Sequence, residues 1–131
     1  TITGDDSLQN RPMDRIINPL RKMGAEITGV NNSSFAPVKI YGGNLSGIDY
    51  IMPIASAQVK SCIMIAGLKA SGHTTIIQPE LSRDHTENMI NYLGGNIDKK
   101  SNQITVHPNN KLIASSLLNF ALAILLCLTS I

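Results

Sequence analysis

Three places in this 131-residue chain carry residues that can grip an anion, and each falls at a predicted helix start. The start of a helix offers N–H groups without intrahelical partners and a partial positive charge, which suits a phosphate or a carboxylate. The first place is Arg11, whose guanidinium can clamp such a group through two parallel hydrogen bonds. The second is Ser56-Ala57-Gln58, where Ser56 can cap and Gln58 brings both a donor and an acceptor. Lys60 lies just beyond and can add charge. The third is Ser82-Arg83-Asp84-His85. Each place also has a plainer reading: an exposed Arg11, simple capping by Ser56, a solvated Lys60, and a capped surface helix after Ser82. Local physics favours the plainer readings.

Other chemistries find little support. No Ser/His/Asp or Cys/His triad follows from spacing, and no Gly-x-x-x-x-Gly-Lys phosphate loop is present. His73, His85 and His107 are scattered without metal-ligand spacing. Cys62 and Cys127 sit in apolar runs and read as buried free thiols. Net charge is only +2, without a clustered basic run, so nucleic acid is not an expected partner. Apolar residues make up 43% and charged residues 15%, as in an ordinary globular domain. Aromatics are only 4%, so any core must be built from Ile, Leu, Met, Val and Ala. No signal or transit segment is visible, so a cytoplasmic location is expected. The chain begins at Thr1 and is expected to be a piece of something longer.

The elements that must position these residues can be read from local pattern. Residues 1–3 read as a short strand, and Arg11-Pro12 opens a helix with Ile16, Ile17, Leu20 and Met23 on one face. Pro19 lies inside it and is expected to bend or break it early. Gly24 ends it, and strands are expected at 25–30 and 38–41 around a turn at 31–36. Residues 57–70 form a different kind of helix, capped by Ser56 and stopped by Gly72. Its apolar residues cover most of the circumference, so it must be buried on nearly all sides. The β-branched run 74–77 is a strand. A third helix begins at Ser82 and Asp84, with Asp84 and Glu87 spaced as a capping pair. Gly94-Gly95 ends it, and strands follow at 96–98 and 103–106.

An internal repeat runs through this pattern. Met23-Gly24-Ala25-Glu26-Ile27 aligns with Leu93-Gly94-Gly95-Asn96-Ile97 at an offset of 70, and Asn18 matches Asn88. In both copies a striped helix precedes the glycine, and strand, polar turn and strand follow. The class is therefore mixed α and β.

Three blocks then resemble one family in order and at family-like spacing. Gly4-Asp5-Asp6-Ser7-Leu8, Arg11-Pro12-Met13 and Asn18-Pro19-Leu20-Arg21-Lys22-Met23-Gly24-Ala25 are similar to the N-terminal domain of the 5-enolpyruvylshikimate-3-phosphate synthases. Ala55-Ser56-Ala57-Gln58-Val59-Lys60-Ser61 resembles their shikimate-phosphate segment, and Leu81-Ser82-Arg83-Asp84-His85-Thr86-Glu87 a third block. The resemblance covers residues 3 to 107 or so.

It implies transfer of the enolpyruvyl group of phosphoenolpyruvate to the 5-hydroxyl of shikimate 3-phosphate, with release of phosphate and no metal or organic cofactor. It also implies that Arg11 holds phosphoenolpyruvate. Ser56, Ala57 and Gln58 would hold shikimate 3-phosphate, with Gln58 touching both substrates, and Ser82 and Arg83 would contact shikimate 3-phosphate. The implied fold is a domain of three βαβαββ units, each with one buried helix. On this reading residues 1–131 are one partial domain of about two units, approximately 1–72 and 73–131.

The chain also departs from the family. The early Lys-Ser…Arg motif, the Asn-x-Gly-Thr loop and the acid–base residues of the second domain are absent, so no catalytic residue is expected within these residues. The remainder of a parent chain is an implied partner. Residues 112–131 are an atypical apolar tail without Gly, Pro, Asp or charge, short for a membrane span, and no membrane partner is expected. The sister transferase acting on UDP-N-acetylglucosamine shares an Arg-Pro-x-Asp step, but it usually carries a Cys just before it, and none lies between Thr1 and Met13. A non-catalytic α/β fragment with weak anion binding is the reading from a different class.

Overall fold

A helix that is apolar all round can only be satisfied in the middle of a fold. The computed structural model describes residues 1–108 and 112, and that helix is α4 (Ala57–Gly67). Ile63 and Met64 are completely buried on it, and Val59 and Ile65 nearly so. Ser56 is the N-cap, its Oγ accepting from the Val59 N–H at 3.4 Å. The helix ends at Gly67, before the expected limit, and the chain turns at Gly72 with φ +92°.

Strands β3 (Asp49–Ile51) and β4 (Thr74–Ile77) flank α4 in sequence and pair in parallel. A parallel pair needs a crossover connection, and the buried helix supplies it. Helix α5 (His85–Tyr92) follows, then β5 (Ile97–Lys100) and β6 (Gln103–Val106). Both β4 and β5 pair antiparallel with β6, giving a four-stranded sheet in the order β3-β4-β6-β5. The order β-α-β-α-β-β therefore runs unbroken from 49 to 106. Residue 72 falls inside this run, between α4 and β4.

The preceding residues form α1 (Asp6–Gln9), α2 (Asp14–Lys22), β1 (Glu26–Gly29), α3 (Val30–Ser33) and β2 (Phe35–Tyr41). The last two take the place of the expected turn at 31–36. Strands β1 and β2 make a two-stranded antiparallel sheet. Ile2 adds a single bridge to Val38 rather than a strand. Helix α2 starts three residues after Arg11, because the Met13 N–H is held by the Ser34 carbonyl at 2.7 Å. Pro19 does not break the helix, which continues to Lys22. Its ring is fully buried, and that packing offsets the one helical hydrogen bond a proline cannot make.

The repeat is visible in the geometry. Gly24 and Gly94 both take left-handed φ, +96° and +81°. The bond from Gly24 N–H to the Arg21 carbonyl recurs from Gly94 to Asn91, and that from Ala25 to Leu20 recurs from Gly95 to Ile90. Each is a helix C-terminus closed by a glycine that tolerates the left-handed conformation.

The main core joins Met23, Met64, Leu68, Ile76, Ile90 and Ile104 among others; among the described residues its fully buried members are all aliphatic, and Tyr50 packs against them partly buried. A smaller cluster of Ile17, Ile27 and Val38 lies under the β1–β2 sheet. Leu112 packs partly buried on the main core, and the rest of the 112–131 tail lies outside the described residues. Among the described residues no helix is long and apolar enough to cross a membrane.

Candidate functional site

Two of the three predicted anion-binding places share one side chain. Lys60 stands one turn into α4, and its backbone N–H bonds the Ser56 carbonyl at 3.0 Å. Its Nζ reaches across to the segment between β4 and α5. There it donates to the Arg83 carbonyl at 2.7 Å and to the Ser82 carbonyl at 3.4 Å. The helix start bearing Ser56, Ala57 and Gln58 is thus tied to the loop bearing Ser82 and Arg83. Ser56, Ala57, Gln58 and Ser82 are half-buried, and Arg83 is exposed.

Lys60 itself contradicts the expectation of a solvated side chain. It has 0% exposure and pairs with Glu87, Nζ to Oε1 at 2.5 Å. A helix packed on nearly every side leaves a charge on its covered face no path to water, so the charge must be matched inside. Glu87 is correspondingly not a capping residue. Asp84 is the N-cap of α5 but makes no side-chain cap bond, and Glu87 points into the interior with 3% exposure. The reciprocal capping pair expected for Asp84 and Glu87 is therefore absent. The buried ammonium competes for Glu87 more strongly than a backbone N–H does. Beside this pair the Ser61 and Thr86 hydroxyls bond each other at 2.6 Å, a second buried link between α4 and α5.

The loop is also held from β4. Gln78 is buried at 1% exposure, and its Oε1 accepts from the Ser82 hydroxyl at 2.8 Å and from the Ser82 N–H at 3.3 Å. Gln78 is in turn anchored to the β5–β6 turn. Its N–H donates to the Asn102 carbonyl, and its carbonyl accepts from Asn102 Nδ2. Ser82 thus has its N–H, carbonyl and hydroxyl all engaged from within the protein. To bind an anion through its hydroxyl, Ser82 must turn that proton away from Gln78.

Arg11 belongs to a different segment. It is half-buried between α1 and α2, with its N–H on the Leu8 carbonyl at 3.1 Å. Helix α2, which begins three residues later, packs on α4.

Cys62 is one helical turn beyond Gln58 on α4, free and partly buried. Burial pushes its thiol from 9.0 up to about 12. Between those values the unfolded chain has lost a proton that the folded chain keeps, so stability falls as pH rises from 9.0 to about 12. The contribution is expected to be at most about 1.4 kcal/mol per pH unit. Urea denaturation across this range, compared with Cys62→Ala, checks it: the variant's decline is expected to be shallower. Cys127 lies outside the described residues.

Residues 1–118 match the family described as EPSP synthase (3-phosphoshikimate 1-carboxyvinyltransferase). The chain belongs to this family. It is 56% identical over 107 residues to the 3-phosphoshikimate 1-carboxyvinyltransferase of Thermodesulfovibrio yellowstonii, an alignment covering 82% of this chain and 25% of that protein. With the enzyme of the same name from a Synechocystis strain it shares 51% over 109 residues, covering 82% and 24%. In structure it resembles EPSP synthase from Acinetobacter baumannii with a TM-score of 0.81 at 48% identity, covering 85% of this chain and 26% of that one. The chain thus spans about a quarter of the length of these EPSP synthases. The mixed α/β architecture is that of the enolpyruvyl-transferase fold.

Sequence reasoning read Lys60 as a solvated charge and Glu87 as a capping residue, and it missed Gln78 altogether. One signal was available. A lysine inside a helix with no polar face has nowhere to be solvated, so it calls for a buried acid. Which acid it meets, 27 residues away, is not a local property.

Proposed function

We propose that this chain is part of an enzyme that transfers the enolpyruvyl group of phosphoenolpyruvate to the 5-hydroxyl of shikimate 3-phosphate and releases phosphate. Membership of the EPSP synthase family supports the reading. The observation that carries it to particular residues is the joining of the α4 start to the 81–84 loop through Lys60. Ser56, Ala57 and Gln58 bind shikimate 3-phosphate, with Ser82 and Arg83 as further contacts to it. Arg11 binds phosphoenolpyruvate, and Gln58 touches both substrates. Both substrates are multiply charged anions, so catalysis by positioning and charge is the natural mode. These residues bind and orient, and none of them is an acid or base for the reaction.

The rest of a parent chain is the implied partner, and the cytoplasm the implied location. An open apolar cleft of about 80 Å³ supports the first point; its lining includes Ile2, Leu8, Met13, Ile16 and Ile40. Ile40 and Tyr41 are 49% and 46% exposed on β2. Residues 1–131 form one partial domain of about two units. The unbroken β-α-β-α-β-β run supports a unit boundary between β2 and β3, with α2-β1-β2 closing the preceding unit.

Calorimetry tests the reading. The chain is expected to take up shikimate 3-phosphate at millimolar concentration and Gln58→Ala to bind it at least about tenfold more weakly, the loss of roughly one charge-assisted hydrogen bond. Arg11→Ala is expected to leave that affinity within about twofold, a difference below 0.5 kcal/mol. An absence of heat from the unaltered chain sinks the substrate assignment. An equal loss in Arg11→Ala and Gln58→Ala overturns the division of roles.

A further inference from the structure

We propose that Lys60 is a positioning residue: its buried ammonium fixes the loop carrying Ser82 and Arg83 at one place relative to the helix start carrying Ser56 and Gln58. The substrate half of this proposal rests on the function proposed above; the geometric half does not.

Lys60 is built into both segments at once. Its N–H belongs to the first turn of α4, on the Ser56 carbonyl, and its Nζ ends among three oxygens, Glu87 Oε1 and the carbonyls of Ser82 and Arg83. An ammonium has three protons, and three acceptors use them all. The side chain therefore has no donor left for a ligand, and Glu87 neutralises its charge. Lys60 acts on an anion only through what it holds.

Charge balance alone does not account for the arrangement. The Lys60–Glu87 pair is complete without the two carbonyls. Yet the loop turns both of them inward to the same nitrogen. That turns their peptide units to a set orientation, and with it the Ser82 and Arg83 side chains. On the other side Gln78 Oε1 takes the Ser82 N–H and hydroxyl. No regular secondary structure holds residues 79–84, so these contacts and the ends of β4 and α5 set the loop's course. A binding group displaced by about 1 Å loses much of its effect, so a clamp of this kind matters to affinity even though it never touches the ligand.

Two variants separate clamping from folding. Glu87→Gln removes the counter-charge and keeps Nζ on both carbonyls. Lys60→Met combined with Glu87→Met replaces the ion pair by apolar volume, which is often tolerated by a fold, but removes the clamp. Backbone order parameters from NMR relaxation are measured for residues 81–84 in each folded protein, without ligand. They are expected to stay near about 0.85 in Glu87→Gln and to fall below about 0.6 in the double variant, while β4 and α5 keep theirs. Unchanged order at 81–84 in the double variant overturns the proposal.

Calorimetry with shikimate 3-phosphate then reads the consequence. The double variant is expected to bind at least tenfold more weakly and Glu87→Gln within about threefold of the unaltered chain. Equal affinity in the double variant and the unaltered chain removes any role in binding. If the unaltered chain does not bind, the substrate assignment fails, and the order parameters alone decide whether Lys60 is the clamp.

Discussion

Glu87→Ala is expected to destabilise the fold by about 3–5 kcal/mol, enough to unfold a marginal domain. The ammonium of Lys60 is completely buried and Glu87 is its acidic partner, at 2.5 Å. Removing the carboxylate leaves a positive charge in the interior with two carbonyl oxygens around it. Such a charge cannot reach water, because α4 is packed on the sides that matter. The cost of the change is therefore mostly the uncompensated charge, not the value of the bond. The ranking follows from this. Glu87→Gln is expected to cost less than Glu87→Ala, since an amide oxygen still faces Nζ and no cavity opens. The double change of Lys60 and Glu87 to Met is expected to recover most of the loss, because neither charge then remains. Urea denaturation with unchanged m-values checks the order. A double variant as unstable as Glu87→Ala alone would show that the charge is not the cause.

Gly47→Ala is expected to cost about 2–3 kcal/mol, although the residue is only partly buried and adds a single methyl group. A Cβ at Gly47 would lie 2.1 Å from the His73 carbonyl oxygen and 2.7 Å from that of Gly72. Both are backbone atoms, so no rotamer change relieves the collision. This is where the segment leading into β3 crosses the segment leading into β4. The Gly47 N–H bonds the Ser71 carbonyl at 2.9 Å, and Ser46 bridges Ser71. Moving the two segments apart would break the start of the parallel β3–β4 pair. Gly42→Ala is the control. Nothing lies within 4 Å of a Cβ there, and a change within about 0.5 kcal/mol is expected. Thermal or urea unfolding of the two variants side by side makes the comparison. Equal stabilities would mean that the crossing is loose enough to accommodate a side chain.

The two cases differ in what a reader of the chain can see. Gly47 looks like any loop glycine, since its constraint comes from Gly72 and His73, 25 and 26 positions away. Gly24 and Gly94 were readable, because ending a helix in a left-handed turn is a local property that glycine meets at low cost. The same holds for Ser56 as a cap, the β-branched strand β4, and the stripe on α2. It also holds for the repeat, which is a recurrence of local pattern at an offset of 70 and reappears as matching hydrogen bonds. Local reasoning went astray where a partner from elsewhere in the chain outbid a neighbour. Pro19 stays helical because the core receives its ring, and Glu87 leaves its cap position for Lys60.

The candidate site divides along the same line. Its residue types and their places at element starts belong to the sequence: Arg11 before α2, Ser56, Ala57 and Gln58 at α4, Ser82 and Arg83 before α5. The family resemblance too is written in those blocks, with no reference to shape. What the tertiary structure decided is which of these places are joined, and by what. Ser56 and Ser82 are 26 positions apart, and no periodicity links them. They are joined through Lys60 because β3 and β4 pair in parallel with α4 buried between them in the chain, so that a lysine near the start of α4 ends against the loop after β4. A local pattern reports the preferences of a few consecutive residues, whereas a buried charge is satisfied by whatever the whole fold brings to it.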